Sequence, residues 1–369
     1  MESLTDEESW KLFCAYAFPE SEKIGPPEHL KEVALNIVKK CAKLPLAIKT
    51  TAASLVSTTL PRDWQSKLHK LKTVATPSDP VMDILKVSYD SLPAHLKACF
   101  AYLAFFPEDE QIECEYLIHL WTGEGFIPAG ENPWDCLDQL ANLCLVEVWE
   151  EWNLIKYCKI HDLLLDLARL ISRENRCAFN VEDALSKLRS VNTGGGRWCR
   201  LFLAKKNIDE HAISERRSVS PTLVHTLLLS GNSKIGRNMP AMLISGMRVL
   251  RVLDLSHTNI STLPACVGNM KLLRVLNLRG TGIKKVPKCV RSLKSLSFLD
   301  VSDCRGLEPQ APKWISELKC LQHLKGRFQR MPKGISKLES LRTLRGSFFL
   351  LSLSMERGRS VNVKRMLAR

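Results

Sequence analysis

The chain has 369 residues, 45% hydrophobic and 25% charged, a composition ordinary for a globular protein with room for two or three domains. Its net charge of +14 is unevenly placed: residues 1–196 carry 20 Lys+Arg against 29 Asp+Glu (net −9), and residues 197–369 carry 33 against 10 (net +23). The acidic opening through Glu8 is the reverse of a signal or transit peptide, and the longest apolar stretch, Cys99 to Phe106, is far short of the roughly 20 residues that span a bilayer; neither export nor a transmembrane helix is expected, and the cytoplasm is the expected location.

From the N-terminus, residues 28–56 read as two helices meeting at a bend, with Leu30, Val33, Ala34, Ile37, Val38 and Cys41 on one face and Pro45 opening the second. A proline suits a first helical turn, where its missing N–H costs nothing. A helix from Asp63 to Leu71 buries Trp64, Leu68 and Leu71, and Pro77 to Pro80 then punctuates the chain. Val81 to Tyr89 is helical, Leu96 to Phe106 is an almost wholly apolar and therefore buried helix, and Tyr116, Leu117, Leu120 and Trp121 mark another, broken at Gly123 to Ile127. Two short strands flank Glu150 to Asn153, with Val146 and Val148 on one and Leu154, Ile155 and Tyr157 on the other, so the block reads as a winged helix. His161-Asp162 then starts a helix carrying Leu163, Leu164, Leu167, Ala168 and Ile171. Residues 186–222, with Thr193-Gly194-Gly195-Gly196 and a Ser-rich run, read as a linker.

The C-terminal half repeats. Leu253, Leu276 and Leu299 stand 23 residues apart in the frames Leu250-x-x-Leu253-x-Leu255, Leu273-x-x-Leu276-x-Leu278 and Leu296-x-x-Leu299-x-Val301. Thr258, Thr281 and Cys304 coincide, as do Pro264 with Pro287 and Cys266 with Cys289. Weaker units lie at Val224, Leu227 and Leu229, at Leu321 and Leu324 with Met331-Pro332, and at Leu341 and Leu344, about six in all. This is a leucine-rich repeat array, in which each unit adds one short strand to a parallel stack. The small residue after each strand is placed to satisfy backbone groups at the turn.

Side chains alternate along a strand. Those between the leucines are the expected partner-binding set: Val252, Asp254, Ser256, Val275, Asn277, Arg279, Phe298, Asp300, Ser302, His323, Lys325, Thr343 and Arg345. Phe298, an aromatic among polar neighbours, is the expected anchor. The +23 half favours an acidic partner, an anionic membrane or nucleic acid, or its cations simply solvate the outer side. Thirteen cysteines, without a C-x-x-C pair, read as small buried hydrophobes in a reducing compartment, and His161, His211 and His225 have no ligand partners nearby in sequence, so no metal site is expected.

Several motifs appear in a familiar order. Trp10-Lys11-Leu12-Phe13 with Ala17-Phe18, Cys41-Ala42-Lys43-Leu44-Pro45-Leu46-Ala47, Cys99-Phe100-Ala101-Tyr102-Leu103-Ala104-Phe105-Phe106-Pro107-Glu108-Asp109 and Lys159-Ile160-His161-Asp162 precede the repeats. With them the chain resembles the plant disease-resistance proteins of the NB-ARC leucine-rich-repeat class, in their non-TIR, coiled-coil branch. The resemblance implies that Pro45 packs near an adenine and that His161 approaches the phosphates of ADP. From the residues themselves, Pro45 also reads as a helix start and His161-Asp162 as a helix cap.

The chain departs from that family's pattern: it has no G-x-x-x-x-G-K-[ST] loop, no apolar strand ending in paired aspartates, and Ala42 and Lys43 where two glycines are usual. The family's upstream segments are absent, so an N-terminally truncated member is expected. ADP binding is expected to be weak or absent, and the chain is not expected to be an enzyme.

The expected fold is an α-helical bundle plus winged helix, a partial NB-ARC region, followed by an α/β leucine-rich-repeat solenoid. The expected divisions are 1–75 for the end of the nucleotide-binding core and a first helical subdomain, 76–185 for the winged helix, 186–222 for the linker, 223–347 for the repeats and 348–369 for a basic tail. The function implied is a plant innate-immunity receptor-like protein whose repeats bind a pathogen effector or host protein. The alternative is nucleic-acid binding through the winged helix or the basic repeats, opposed by the acidic Glu113, Glu115, Glu124, Glu147, Glu150 and Glu151.

Overall fold

The computed structural model describes residues 4–19, 26–56, 58, 60–73, 80–151, 155–174, 177–178, 200–204, 224–235, 241, 244–308, 312–328, 334–345 and 361–362. Leu154, Met331, Pro332, the Thr193–Gly196 run and most of the expected linker and tail lie outside these residues. The chain divides into two compact units, one of residues 1–121 and 126–172, the other of residues 122–125 and 173–369.

In the first unit, helix α1 (Asp6–Ala17) begins with a capping box. Glu8 N–H donates to Thr5 Oγ1 at 3.2 Å, and Thr5 N–H donates to Glu8 Oε2 at 2.8 Å, satisfying two donors that a helix start otherwise leaves open. Helix α2 (Glu28–Lys40) buries Leu30, Ala34, Ile37 and Val38. It stops at Ala42 and Lys43, both left-handed at φ 52° and 58°, before Pro45 opens helix α3 (Pro45–Ala53). Helix α4 (Pro61–Thr73) turns Trp64 and Leu71 into the same core, where Phe13 and Phe18 pack on Trp64 with ring centroids 6.1 and 5.5 Å away. The Trp64 indole N–H donates to the Thr58 carbonyl at 2.9 Å, so the ring is buried without an orphan donor.

Next come α5 (Pro80–Asp90) and α6 (Ala94–Tyr102), whose apolar run continues through a 3-10 turn at Leu103–Phe105 and buries Cys99, Phe100, Tyr102 and Leu103. A short strand β1 (Ile112–Glu113), helix α7 (Cys114–Glu124), helix α8 (Pro133–Asn142), strands β2 (Glu147–Glu150) and β3 (Lys156–Lys159) and helix α9 (Asp162–Glu174) follow. The expected hairpin is present, with Trp149 opposite Tyr157, and β1 adds a third antiparallel strand in the order β1-β3-β2. Three elements of this unit escape the sequence reading: helix α1, whose start is marked by the Thr5 and Glu8 capping box, strand β1 and helix α8. Strand β1 has only two residues, and α8 is signalled by Asn132, whose side chain caps Trp134 N, and by Pro133 in its first turn.

In the second unit, strands β4 (Cys177–Ala178), β5 (Arg200–Phe202), β6 (Thr226–Leu228), β7 (Val252–Asp254), β8 (Val275–Asn277), β9 (Phe298–Val301), β10 (His323–Gly326) and β11 (Thr343–Arg345) pair in parallel in chain order, and β12 (Val361–Asn362) closes antiparallel on β11. The register carries the repeat: Leu253 faces Leu276, then Leu299, Leu324 and Leu344. Strand β5 falls inside the segment expected as a linker and β12 inside the expected tail; neither carries the 23-residue leucine frame.

The leucine spine is one continuous core, closed on its far side by 3-10 turns that follow Pro264, Pro287 and Pro312 and bury Val267, Val290 and Ile315. Each buried leucine contributes about 1.5–3 kcal/mol, so neighbouring units supply what a single unit lacks. The turn residues act as expected. Thr258 Oγ1 donates to Leu255 O at 2.6 Å and Thr281 Oγ1 to Leu278 O at 2.7 Å, and Cys304 Sγ reaches that same Leu278 carbonyl at 3.1 Å.

Candidate functional site

Alternation correctly separates the leucines from the second face of the strands, but that face is not open. Val252, Asp254, Ser256, Val275, Asn277, Asp300 and Lys325 are buried, and Phe298, the expected anchor, is 1% exposed. Arg279, Ser302, His323, Thr343 and Arg345 are half-buried.

The cause differs by residue. Gly123, in the 122–125 segment of this unit, lies against Val252 and Val275: a Cβ added to it would stand 2.6 Å from Val275 Cγ2 and 3.0 Å from Val252 Cγ2. Phe298 lies under Lys325 Nζ, 5.6 Å from the ring centroid, and beside the His323 ring at 6.5 Å. The expectation that Phe298 stands exposed is therefore corrected.

Three of the polar residues fold back on their own strand ends. Asp254 Oδ1 accepts from Ser256 N at 2.7 Å, Asn277 Oδ1 from Arg279 N at 3.1 Å, and Asp300 Oδ1 from Ser302 N at 2.8 Å. These are side-chain turns that satisfy backbone donors leaving the strand, recurring in three consecutive units. Burial pushes the Asp300 carboxyl up, against the opposing pull of its Ser302 hydrogen bonds and of Lys325.

The same unit holds a buried charge that sequence reading placed only among acidic winged-helix residues. Glu124 is 3% exposed. Its carboxylate accepts from Arg200 Nε at 2.8 Å and from the Thr226 hydroxyl, while Arg251 donates to its carbonyl at 3.0 Å and Arg274 to the Gly123 carbonyl at 3.4 Å. Arg251 and Arg274 hold equivalent repeat positions, 23 residues apart. His225, beside them, is pushed below its usual value by burial and by Arg251. No local pattern announces Glu124, because its partners lie 76 and 102 residues away.

What stays accessible sits one step further along each unit, at the strand exits. His257, Gly280 and Asp303 occupy equivalent positions at φ 54°, 66° and 58°. Asp303 joins Arg279 (Nε to Oδ2, 2.9 Å) and Arg327 (NH2 to Oδ1, 3.4 Å), with the Arg279 side chain 43% exposed.

In the first unit, Pro45 starts α3, and His161 starts α9: its Nδ1 accepts from Leu163 N at 3.3 Å and its carbonyl from Leu164 N and Leu165 N at 2.8 and 2.9 Å. The cap occupies Nδ1, leaving Nε2 as the ring's only other polar atom. Ala42 and Lys43 hold the left-handed bend ahead of Pro45, and both are exposed.

The fold also brings together His95, Glu131 and Cys136, a donor set that neighbours in sequence do not suggest. Among the described residues eleven cysteines are free thiols, and no helix is long and apolar enough to cross a membrane.

Two family models match the chain: a disease resistance protein winged helix domain over residues 105–168 and a leucine-rich repeat region over residues 220–365. Disease resistance RPP13-like protein 4 of Arabidopsis thaliana is 32% identical over 268 residues, 69% of this chain and 30% of that protein. Putative disease resistance RPP13-like protein 3 of the same plant is 30% identical over 352 residues, 88% of this chain and 38% of that protein. A leucine-rich-repeat protein of Leptospira interrogans, known as a structure, is 25% identical and covers 41% of each chain with a TM-score of 0.30. The chain thus spans about a third of the length of the plant relatives it matches. It belongs to the plant disease-resistance proteins that combine a winged helix with leucine-rich repeats.

Proposed function

We propose that this chain serves plant defence as a recognition protein of the cytoplasm, binding a pathogen effector or a host protein through its repeats. The observation that carries the reading is the ladder in register from β6 to β11, with the strand exits at His257, Gly280 and Asp303 left accessible. The contact surface is Arg279, Asp303 and Arg327 with the neighbouring His257 and Arg305. The buried strand residues support it from beneath.

The chain has no enzymatic role in this reading. Pro45 and His161 act as helix starts, ADP binds weakly or not at all, and the chain does not hydrolyse ATP. Nucleic-acid binding is the weaker reading, because the winged-helix block is acidic and some cations of the repeats already face carboxylates. Lys285 lies 3.3 Å from Glu308, and Arg291 and Lys294 lie 3.7 and 3.8 Å from Glu317.

The test is a binding screen of the immobilised chain against plant and pathogen proteins, repeated with Arg279→Ala/Arg327→Ala and with a Lys284→Ala/Lys288→Ala control. Loss of at least about tenfold in affinity, roughly 1.4 kcal/mol, in the first variant alone is expected. Partners that bind both variants equally would remove the strand exits from the interface. Binding to duplex DNA that weakens steeply with salt would favour the nucleic-acid reading.

A further inference from the structure

Three side chains of the first unit converge where two helices begin. His95 is in the first turn of α6, Cys136 in the first turn of α8, and Glu131 lies in the turn just ahead of α8, where its N–H donates to Pro128 O at 3.2 Å. An imidazole nitrogen, a carboxylate oxygen and the thiol sulfur lie within 4.8 Å of one another. Ligands around a tetrahedral zinc, with bonds of about 2.0–2.3 Å, stand roughly 3.5 Å apart. Small side-chain rotations close the difference, and the Glu131 side chain, on the surface, is free to make one.

The surroundings suit a cation. His95 Nε2 is shielded from solvent and makes no hydrogen bond, standing 3.8 Å from Glu131 Oε2. A shielded ring nitrogen without a partner forfeits the hydrogen bond it made to water, and a metal ion would restore a partner. Cys136 is fully buried and Glu131 exposed, so the donors run from the interior to the surface and leave an entry path on the Glu131 side. Asp135 adds a second carboxylate close by, oriented by Asn132 Nδ2 at 2.9 Å. One thiolate, one neutral imidazole and one carboxylate carry two negative charges, which a divalent cation balances; binding releases the thiol proton to solvent.

We propose that His95, Glu131 and Cys136 form a zinc site with a water in the fourth position, joining the starts of α6 and α8. The mixed N, O and S donor set selects a borderline divalent ion over magnesium or calcium, which prefer oxygen alone.

The test uses the full chain, purified under reducing conditions, stripped with a chelator and titrated with Zn2+ against a competing dye, with Co2+ as the spectroscopic probe. One equivalent of zinc is expected, and the Co2+ form is expected to show tetrahedral ligand-field bands with a thiolate charge-transfer band. Cys136→Ser should remove the charge-transfer band. His95→Gln should lower zinc affinity by more than about 100-fold, beyond what outer-shell changes cost, and Glu131→Gln by about 10-fold or more. Cys136 is in the core, so the two more accessible variants, checked for native circular dichroism, keep the test decisive if the serine variant misfolds. No zinc retained by the wild-type chain at micromolar concentration, or zinc retained equally by His95→Gln and Glu131→Gln, would overturn the assignment.

Discussion

Replacing Asp300 by alanine separates a supporting role from a partner-contact role. In the structure its Oδ1 accepts from Ser302 N at 2.8 Å and from Ser302 Oγ at 2.5 Å, in a position 4% exposed. Removing the acceptor leaves the partly buried Ser302 N–H without its partner, which costs about 1–3 kcal/mol, so a net loss of about 2 kcal/mol is expected. Asp300→Asn keeps an acceptor at Oδ1 and should stay within about 1 kcal/mol of wild type.

The assay is amide hydrogen exchange, read by mass spectrometry on the peptide spanning β9 and Ser302 of the full chain. A loss of 2 kcal/mol corresponds to roughly 30-fold faster exchange where the opening equilibrium sets the rate. A peptide over β6 serves as the control and should be unaffected. The pH dependence has a definite sign. Burial raises the folded-state value of Asp300 above its unfolded value, about 3.9, so the ionised form costs stability at neutral pH. That cost is relieved as pH falls through the folded value toward the unfolded one, and the wild type gains on Asp300→Asn over that window. If Asp300→Ala exchanges like wild type yet loses a partner, Asp300 returns to the contact surface and the capping argument is wrong.

Gly280→Ala places a Cβ 2.5 Å from His257 Nδ1 at a residue with φ +66°. The backbone alone should cost about 1–2 kcal/mol, seen as a lower urea midpoint, and adding His257→Ala should recover only the steric part; full recovery would show that the left-handed backbone costs nothing. Glu124→Ala leaves Arg200 without its buried partner and should cost about 3 kcal/mol, while Glu124→Gln, which still accepts from Arg200 and Thr226, should cost clearly less. Equal losses in a urea titration would mean that the charge, and not the hydrogen-bond geometry, holds this contact.

The helices of the first unit other than α1 and α8 are legible because local signals agree with tertiary demands. Trp64, Leu68 and Leu71 share a face at helical spacing, and Pro45 marks a start that the structure uses. The turn chemistry was legible for the same reason: Thr258 and Thr281 act on a carbonyl three residues back, so everything needed lies in one short window. Strand β5 was missed because Arg200–Phe202 carries only three residues and depends on its neighbour Thr226–Leu228 to be a strand at all.

The sequence by itself determined the leucine spine, since a frame recurring every 23 residues admits one stacking register, and a slip would turn leucines to water. Only the tertiary structure decided which of the remaining side chains are available. Alternation says that Val252, Val275 and Phe298 point away from the spine, and says nothing about what lies over them. Burial, the Glu124 pair with Arg200, and the meeting of His95 with Glu131 and Cys136 all depend on residues far apart in the chain, and local periodicity carries no information about such contacts.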